Sequence, residues 1–403
     1  MKEVNNMKVA IIGGGPSGLT AAYYARGKIH IFDKNSDCGK KLLLTGNGKC
    51  NYFNKDQDIK YYHSYNKELI KNIITKNNID RVINFTNELG LIPKYKNNYC
   101  YPYSGLASSV KESLKKACIE KGVIFHKTQD IKDIEYKNNK YYINNEEFDK
   151  VVIATGAKSY PKTGSDGFGY EIAKKFKHNI NPVNPTLVQV ITNTGLEKHW
   201  AGIRCDVTVS HYENNTLIKQ EDGELQFTDY GLSGICIFNL SRDIKIGIEN
   251  NKREYIHINF VPWYQDNNFL EFMNERNKSL PNRNITELCD GFISYKLLMV
   301  ILKKIGIKND EHWNELSRDD KKSFVNALTN FEVEVIDTKG FLNAQTCSGG
   351  VPLEELNLNT LESLKQKGLY FCGEVIDVDG DCGGYNLTFA FLSGILVGSD
   401  IHD

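Results

Sequence analysis

None of the ten cysteines is spaced as Cys-x-x-Cys, and no Cys/His spacing matches a zinc site. That absence excludes an oxidoreductase that exchanges electrons through a tight dithiol loop. Cys38 and Cys50 are too widely spaced for such a loop. The remaining thiols read as small residues compatible with an apolar interior in a reducing cell. Net charge is also missing. Fifty basic residues balance fifty acidic ones, so no broad field favours nucleic acid or an anionic membrane. No apolar run approaches the roughly 18 residues of a spanning helix, and the opening MKEVNNMKVAI has no apolar signal core. The expectation is a soluble cytoplasmic protein with a small-molecule substrate and neither nucleic acid nor membrane as partner. Composition is silent on oligomeric state.

The 403 residues are too many for one core and fit two or three domains. Lys8 to Ile12 reads as a buried parallel strand, Leu19 to Arg26 as a short helix, and Lys28 to Phe32 as the next strand. Residues 64–91, 105–121 and 167–176 have helical spacing, and Val151-Val152-Ile153 closes a β-rich stretch. After Pro182 and Pro185, residues 186–262 alternate apolar and polar, as antiparallel strands do. Helical periodicity takes over at 267–330, and strand and glycine-loop patterns return from about 335. The fold class is therefore α/β. A discontinuous Rossmann-like domain (1–190 and 335–403) would carry an inserted antiparallel β subdomain (191–264) and a helical one (265–334).

Chemistry concentrates at the two ends. VAIIGGGPSG (9–18) holds Gly13-x-Gly15-x-x-Gly18 between a strand and a helix, and Asp33 stands twenty residues after Gly13 at the end of the second strand. The glycines permit a tight turn and close approach of a pyrophosphate to the helix N-terminus, and the acid can accept ribose hydroxyls. Near the other end, Gly373-Glu374 follows an apolar strand, and Gly383-Gly384-Tyr385-Asn386 opens a helix of small apolar residues. Helix starts present unpaired N–H groups and partial positive charge. Two such starts suggest one dinucleotide gripped at both ends, with FAD as the cofactor. The loop from Gly39 to Asn51 combines glycines with lysines that could counter phosphate charge, although it also reads as a basic surface loop. Ala154-Thr155-Gly156 ends a buried strand where the chain could pass close to a cofactor. Asp377, Asp379 and Asp381 lack the spacing and glutamate of an EF-hand. GSDGFG (164–169) has the wrong glycine order for a second dinucleotide fingerprint, so a nicotinamide would have to visit the open flavin face.

Five blocks resemble a family of bacterial flavoproteins, the aminoacetone oxidase-like or 3-dehydro-bile acid delta(4,6)-reductase-like proteins: GGGPSGL (13–19), KKLLLTGNGKCN (40–51), ATGAKSYPKTGSDGFGYEIAKK (154–175), GELQFTDYGLSG (223–234) and GEVIDVDGDCGGYNLTFA (373–390). The resemblance spans nearly the whole chain. It implies non-covalent FAD in a two-dinucleotide-binding-type Rossmann-like domain, with a barrel-like and helical insertion. Carried over by position, Gly13, Gly15, Pro16, Ser17, Gly18, Asp33 and Lys34 would hold the ADP half. Lys41, Asn47, Gly48 and Asn51 would follow the diphosphate and ribityl chain. Ala154, Thr155, Gly156, Gly373, Glu374, Gly384, Tyr385, Asn386 and Leu387 would surround the remainder. Two departures stand out. Asp229 and Ile235 replace a family His and Pro in the insertion, and Phe389 replaces a usual Trp.

The activity this implies is hydride transfer from flavin to a conjugated carbonyl compound such as a steroid-like enone, with NADH or NADPH as transient electron donor. An aminoacetone-type amine oxidase that passes electrons to O₂ is the alternative, and a non-catalytic FAD sensor is a third reading. A tRNA-modifying flavoenzyme fits on fold grounds alone, and the neutral charge and lack of a basic stripe argue against it. No residue pattern fixes the proton donor; Tyr385, Tyr160 and Tyr103 are the candidates.

Overall fold

The computed structural model describes residues 7–402 except Gln265 and Asn267. The first six residues, part of the opening MKEVNNMKVAI expected to lack a signal core, therefore lie outside the described residues, as does Asp403. The chain divides into two compact units, 1–185 with 344–403, and 186–343.

The first unit is built on a five-stranded sheet in the order Leu369–Phe371, Lys150–Ile153, Lys8–Ile12, Lys28–Asp33, Ile124–Lys127. Every pairing in it is parallel. The central strands read KVAII and KVVI because both faces are covered, so hydrophobicity is nearly continuous. From Lys8–Ile12 the chain first builds outward through Lys28–Asp33, then returns to the other side with Lys150–Ile153. That reversal makes a topological switch point, and a ligand crevice opens there beyond the carboxyl ends of the strands. The first helix, Pro16–Tyr24, starts at this crevice with proline at its first position.

Tight turns are written plainly in the sequence. Asn138-Asn139, Asn144-Asn145 and Asn214-Asn215 all take positive φ, as two-residue hairpin turns require. The first two join the meander Glu135–Lys137, Lys140–Ile143, Glu146–Phe148.

The second unit is a closed barrel in the order Val190–Thr192, Gly231–Ser233, Thr216–Phe227, Arg204–Glu213, Glu254–Asn259, Phe331–Thr338. Two expectations are corrected here. Residues 235–249 form a helix, although they lie in the stretch expected to be strands. Ile and Phe mask the period, yet Cys236, Ile237, Leu240 and Ile244 are buried at helical spacing. The second unit also runs to Asn343 rather than 334, because the last barrel strand follows the helices Phe269–Ser279, Tyr295–Ile305 and Arg318–Thr329. The helices thus interrupt the barrel in sequence instead of following it. His211 and Glu254, both fully buried, hydrogen-bond to each other within this unit.

Candidate active site

The glycine turn comes first. A Cβ on Gly13 (φ +108°) would lie 2.3 Å from the Ala154 carbonyl oxygen, and one on Gly18 would lie 2.0 Å from the Gly13 carbonyl oxygen. Those two glycines let the turn press against the neighbouring strand end. Gly15 differs, because nothing stands within 4 Å of its notional Cβ. The helix that Gly15 opens has no side-chain cap. Here a backbone faces open space with unpaired donors, which suits a pyrophosphate. Asp33 is buried and braces the turn: Oδ2 accepts the Gly14 N–H at 2.8 Å and Oδ1 accepts the Asn35 N–H at 2.8 Å.

The C-terminal helix, Tyr385–Asp400, supplies the second uncapped start, at Gly384 (φ +99°). It packs along the first helix through two glycines. A Cβ on Gly394 would lie 2.5 Å from the Ser17 carbonyl oxygen, and one on Gly398 would lie 2.5 Å from that of Ala21. Both contacts advance in the same chain direction, so the helices are parallel. At 1.5 Å rise per residue the C-terminal helix starts about 10 Å ahead of the first. Two parallel helices thus present N–H groups toward the same side at two depths.

Other predicted residues gather around this pair. Gly373 (φ +76°) lies against Ser17, where a Cβ would meet Oγ at 2.4 Å. Gly156 (φ +71°) lies beside Ser165 and Glu374. Ala154 and Thr155 complete the strand end below. Asn51 Oδ1 is buried without a partner, a vacant acceptor in the loop expected to follow the ligand. Asn47 (φ 53°) and Gly48 (φ 81°) form an exposed left-handed turn in that loop. The Asn386 amide clasps Gly380, accepting from its N–H at 2.9 Å and donating to its carbonyl at 2.7 Å. Leu387 is half-buried in the same first turn.

Several predicted side chains are occupied elsewhere. Lys41 donates to Glu374 Oε2 at 2.7 Å and to Ser159 Oγ at 2.6 Å, so its charge is already paired. Lys34 pairs with Asp166 at 2.6 Å. Tyr385 is buried and stacks on Tyr61 with centroids 4.8 Å apart, and burial holds its phenol well above the ordinary tyrosine range. Its side chain belongs to the packing, which leaves only its backbone at the helix start. Tyr160 is half-buried in a left-handed conformation, its carbonyl accepting from Thr163. Tyr103 is exposed beneath the Lys94 ammonium, 5.8 Å from its ring centroid. None of the three tyrosines has the geometry of a placed acid. Cys38 and Cys50 are buried thiols pushed up to about 12 by burial.

The acidic loop is structural. Asp377 Oδ2 accepts from Ser64 Oγ at 3.0 Å, Tyr65 N–H at 2.9 Å and Asn181 Nδ2 at 2.8 Å, while Oδ1 is buried without a partner. Burial raises its pKa to about 6. The folded state therefore holds this proton more tightly than the unfolded chain, whose carboxyls titrate near 3.9. That contribution is present at low pH and is lost as pH rises through about 6. Asp377→Asn is accordingly expected to raise Tm at pH 8 relative to the parent, by the equivalent of about 2 kcal/mol, and to give little gain at pH 4. Thermal melts of both proteins across that range check the sign. Asp381 takes a hydrogen bond from His63, 2.9 Å away.

The strand Thr346–Gly350 lies where strand and glycine-loop patterns were expected, but none of its residues was assigned to the site from sequence. Gly349 (φ +78°) and Gly350 (φ +130°) have no room for a Cβ, with Pro182 and Val375 carbonyl oxygens 2.1 and 2.6 Å away. Ser348 beside them is fully buried, its hydroxyl without a partner. The Gly-Gly pair just ahead of Val351-Pro352-Leu353 was the available signal. Tyr99 was also missed; its ring edge approaches Gly383. His178 bridges Glu355 (2.8 Å) and Ser363 (2.7 Å) in a charge-relay geometry, but Ser363 Oγ already accepts the Lys365 and Gln366 N–H groups. That serine is not a nucleophile.

A family model described as the HI0933-like protein Rossmann domain matches residues 7–400. The chain belongs to the HI0933-like Rossmann family. One relative in sequence is the 3-dehydro-bile acid delta(4,6)-reductase of Clostridium scindens, 32% identical over 97% of this chain and 98% of that protein. Another is the ribosomal RNA dihydrouridine synthase of Escherichia coli, 28% identical over 97% of each. Among solved structures, 3-ketosteroid-delta4-(5alpha)-dehydrogenase from Rhodococcus jostii is similar with a TM-score of 0.50 at 12% identity, covering 100% of this chain and 98% of that one. That likeness concerns the fold. Among the described residues no helix is long and apolar enough to cross a membrane, and no His/Cys/Asp/Glu cluster could hold a metal.

Proposed function

We propose that this HI0933-like protein is an FAD-dependent reductase of carbon–carbon double bonds conjugated to a carbonyl, driven by NADH or NADPH. The observation that carries the reading is the staggered pair of parallel, uncapped helix starts beside an open Gly15. Two positive ends about 10 Å apart along the helix axis match a molecule with a diphosphate in its middle and an electron-accepting ring at one end. Bound FAD would supply hydride transfer between a nicotinamide and the substrate. The chain's own groups do the rest. The first helix would hold the diphosphate, Asp33 would meet ribose hydroxyls, and the vacant Asn51 oxygen would accept from the linking polyol. The uncapped N–H groups of Tyr385–Leu387 would stabilise negative charge at the ring edge when the flavin is reduced.

The relatives' names support the substrate class. Reducing a 3-oxo-delta(4,6) system and converting uridine to dihydrouridine are the same kind of step: hydride adds to the β carbon of a conjugated carbonyl, or to the vinylogous δ carbon of a dienone, and a proton adds to the other carbon of that double bond. A steroid-like enone is the first reading, because the relative carrying that name is the more similar of the two. Ribosomal RNA uridine is the second, carried by the synthase likeness over the whole chain. The test is anaerobic mixing of the flavin-loaded protein with NADH and with NADPH, followed by a 3-oxo-4-ene steroid or by undermodified ribosomal RNA. Rapid bleaching and reoxidation by one substrate are expected. Bound FAD that neither nicotinamide reduces would overturn the reading and turn the search to amines and O₂.

A further inference from the structure

Two segments distant in sequence, 38–55 and 91–106, contain six lysines and no aspartate or glutamate. The fold joins them. Phe53–Asn54, Tyr99–Pro102 and Pro93–Lys96 form one three-stranded sheet, with Pro93–Lys96 as its free edge, exposed along its whole length. The Lys55 ammonium sits 4.0 Å over the Tyr95 ring, and the Tyr103 N–H donates to the Ile92 carbonyl. The turn Lys41–Gly48 adjoins this sheet, Gly46 lying against Tyr101.

Large aliphatic and aromatic side chains are bare on this substructure. Leu44 is 50% exposed, Ile92 68%, Tyr103 68% and Leu106 56%. Interleaved with them, Lys49, Lys55, Lys94 and Lys96 are exposed, and none has a carboxylate partner among the described residues. The balanced total charge conceals this face, because opposite charges elsewhere cancel it.

We propose that this face docks the protein peripherally on an anionic lipid bilayer. The lysines meet lipid phosphates, while Leu44, Ile92, Tyr103 and Leu106 enter the interfacial layer. Charge complementarity decides for lipid over a neutral protein partner. The aliphatic side chains decide against RNA, since they offer nothing to a phosphodiester. The only arginine between 38 and 106 is Arg81, which donates to Ser399 Oγ, so the stacking guanidinium that RNA sites favour is missing. The inference stands independently of the reductase reading, although both fit a substrate that partitions into membranes.

The experiment is vesicle flotation of the full chain with phosphatidylcholine alone and with phosphatidylcholine containing phosphatidylglycerol. Binding to the anionic vesicles only, reversed by high salt, is expected. Lys94→Glu with Lys96→Glu is expected to weaken partition at least about twentyfold. Leu44→Ser with Leu106→Ser should weaken it about tenfold while leaving its salt dependence in place. Unchanged thermal melts would show that these exposed variants are folded. Absence of binding to anionic vesicles overturns the proposal. So does lysine-dependent binding of a single-stranded RNA oligonucleotide by a protein that ignores vesicles.

Discussion

Gly15→Val is expected to lose FAD affinity by roughly a hundredfold while leaving the protein folded. Gly15 has φ −75° and ψ −180°, extended backbone that any residue adopts, and no atom stands within 4 Å of its notional Cβ. A side chain here would therefore start into open space, which the proposed diphosphate would share, rather than into protein atoms. Loss of a glycine at the helix start costs about 1 kcal/mol at most, so the apoprotein Tm should move by only a few degrees. Gly18→Val is the contrast. Its Cβ would strike the Gly13 carbonyl oxygen, so stability and flavin binding should fall together. Flavin titration by fluorescence and a thermal melt on each variant separate the two. Equal affinity in Gly15→Val and the parent would mean that no diphosphate rests on the first helix.

Gly394→Ala is expected to destabilise the protein by about 2–3 kcal/mol. The sign is the informative part, because alanine in an ordinary helix interior stabilises relative to glycine by about 1 kcal/mol. Here the added methyl would sit 2.5 Å from the Ser17 carbonyl oxygen and 3.0 Å from the Ala21 nitrogen, backbone atoms that cannot step aside. The two helices must separate, which also disturbs the stagger of their starts. A lower Tm with reduced flavin content is expected from denaturation curves and the visible spectrum. A higher Tm would show that the helices do not pack through this glycine.

Much of the candidate site's backbone was legible because its requirements are local. A glycine that must take positive φ, an Asn-Asn turn and a strand buried on both faces each constrain a few neighbouring residues. The fingerprint at 13–18, Gly156, Gly373 and Gly384 could therefore be read directly. Helix 235–249 was not, since its Ile and Phe content suits a strand and its helical spacing emerges only against the barrel. Lys41 and Lys34 show another kind of limit. A lysine beside a glycine loop looks available to phosphate until the fold supplies Glu374 or Asp166 as its partner.

The sequence by itself determined the backbone: where the chain turns, which strands are buried, and where two helices open with bare N–H groups. Short-range sterics and hydrophobic period carry that information, and both act within a few residues. Only the tertiary structure decided which groups meet. It set the two helices parallel through Gly394 and Gly398, left Asn51 and Ser348 without partners, and spent Tyr385 on an aromatic stack. It also joined two acid-free segments into one basic, apolar face. Those outcomes depend on contacts between residues tens to hundreds of positions apart, which neither composition nor local pattern encodes.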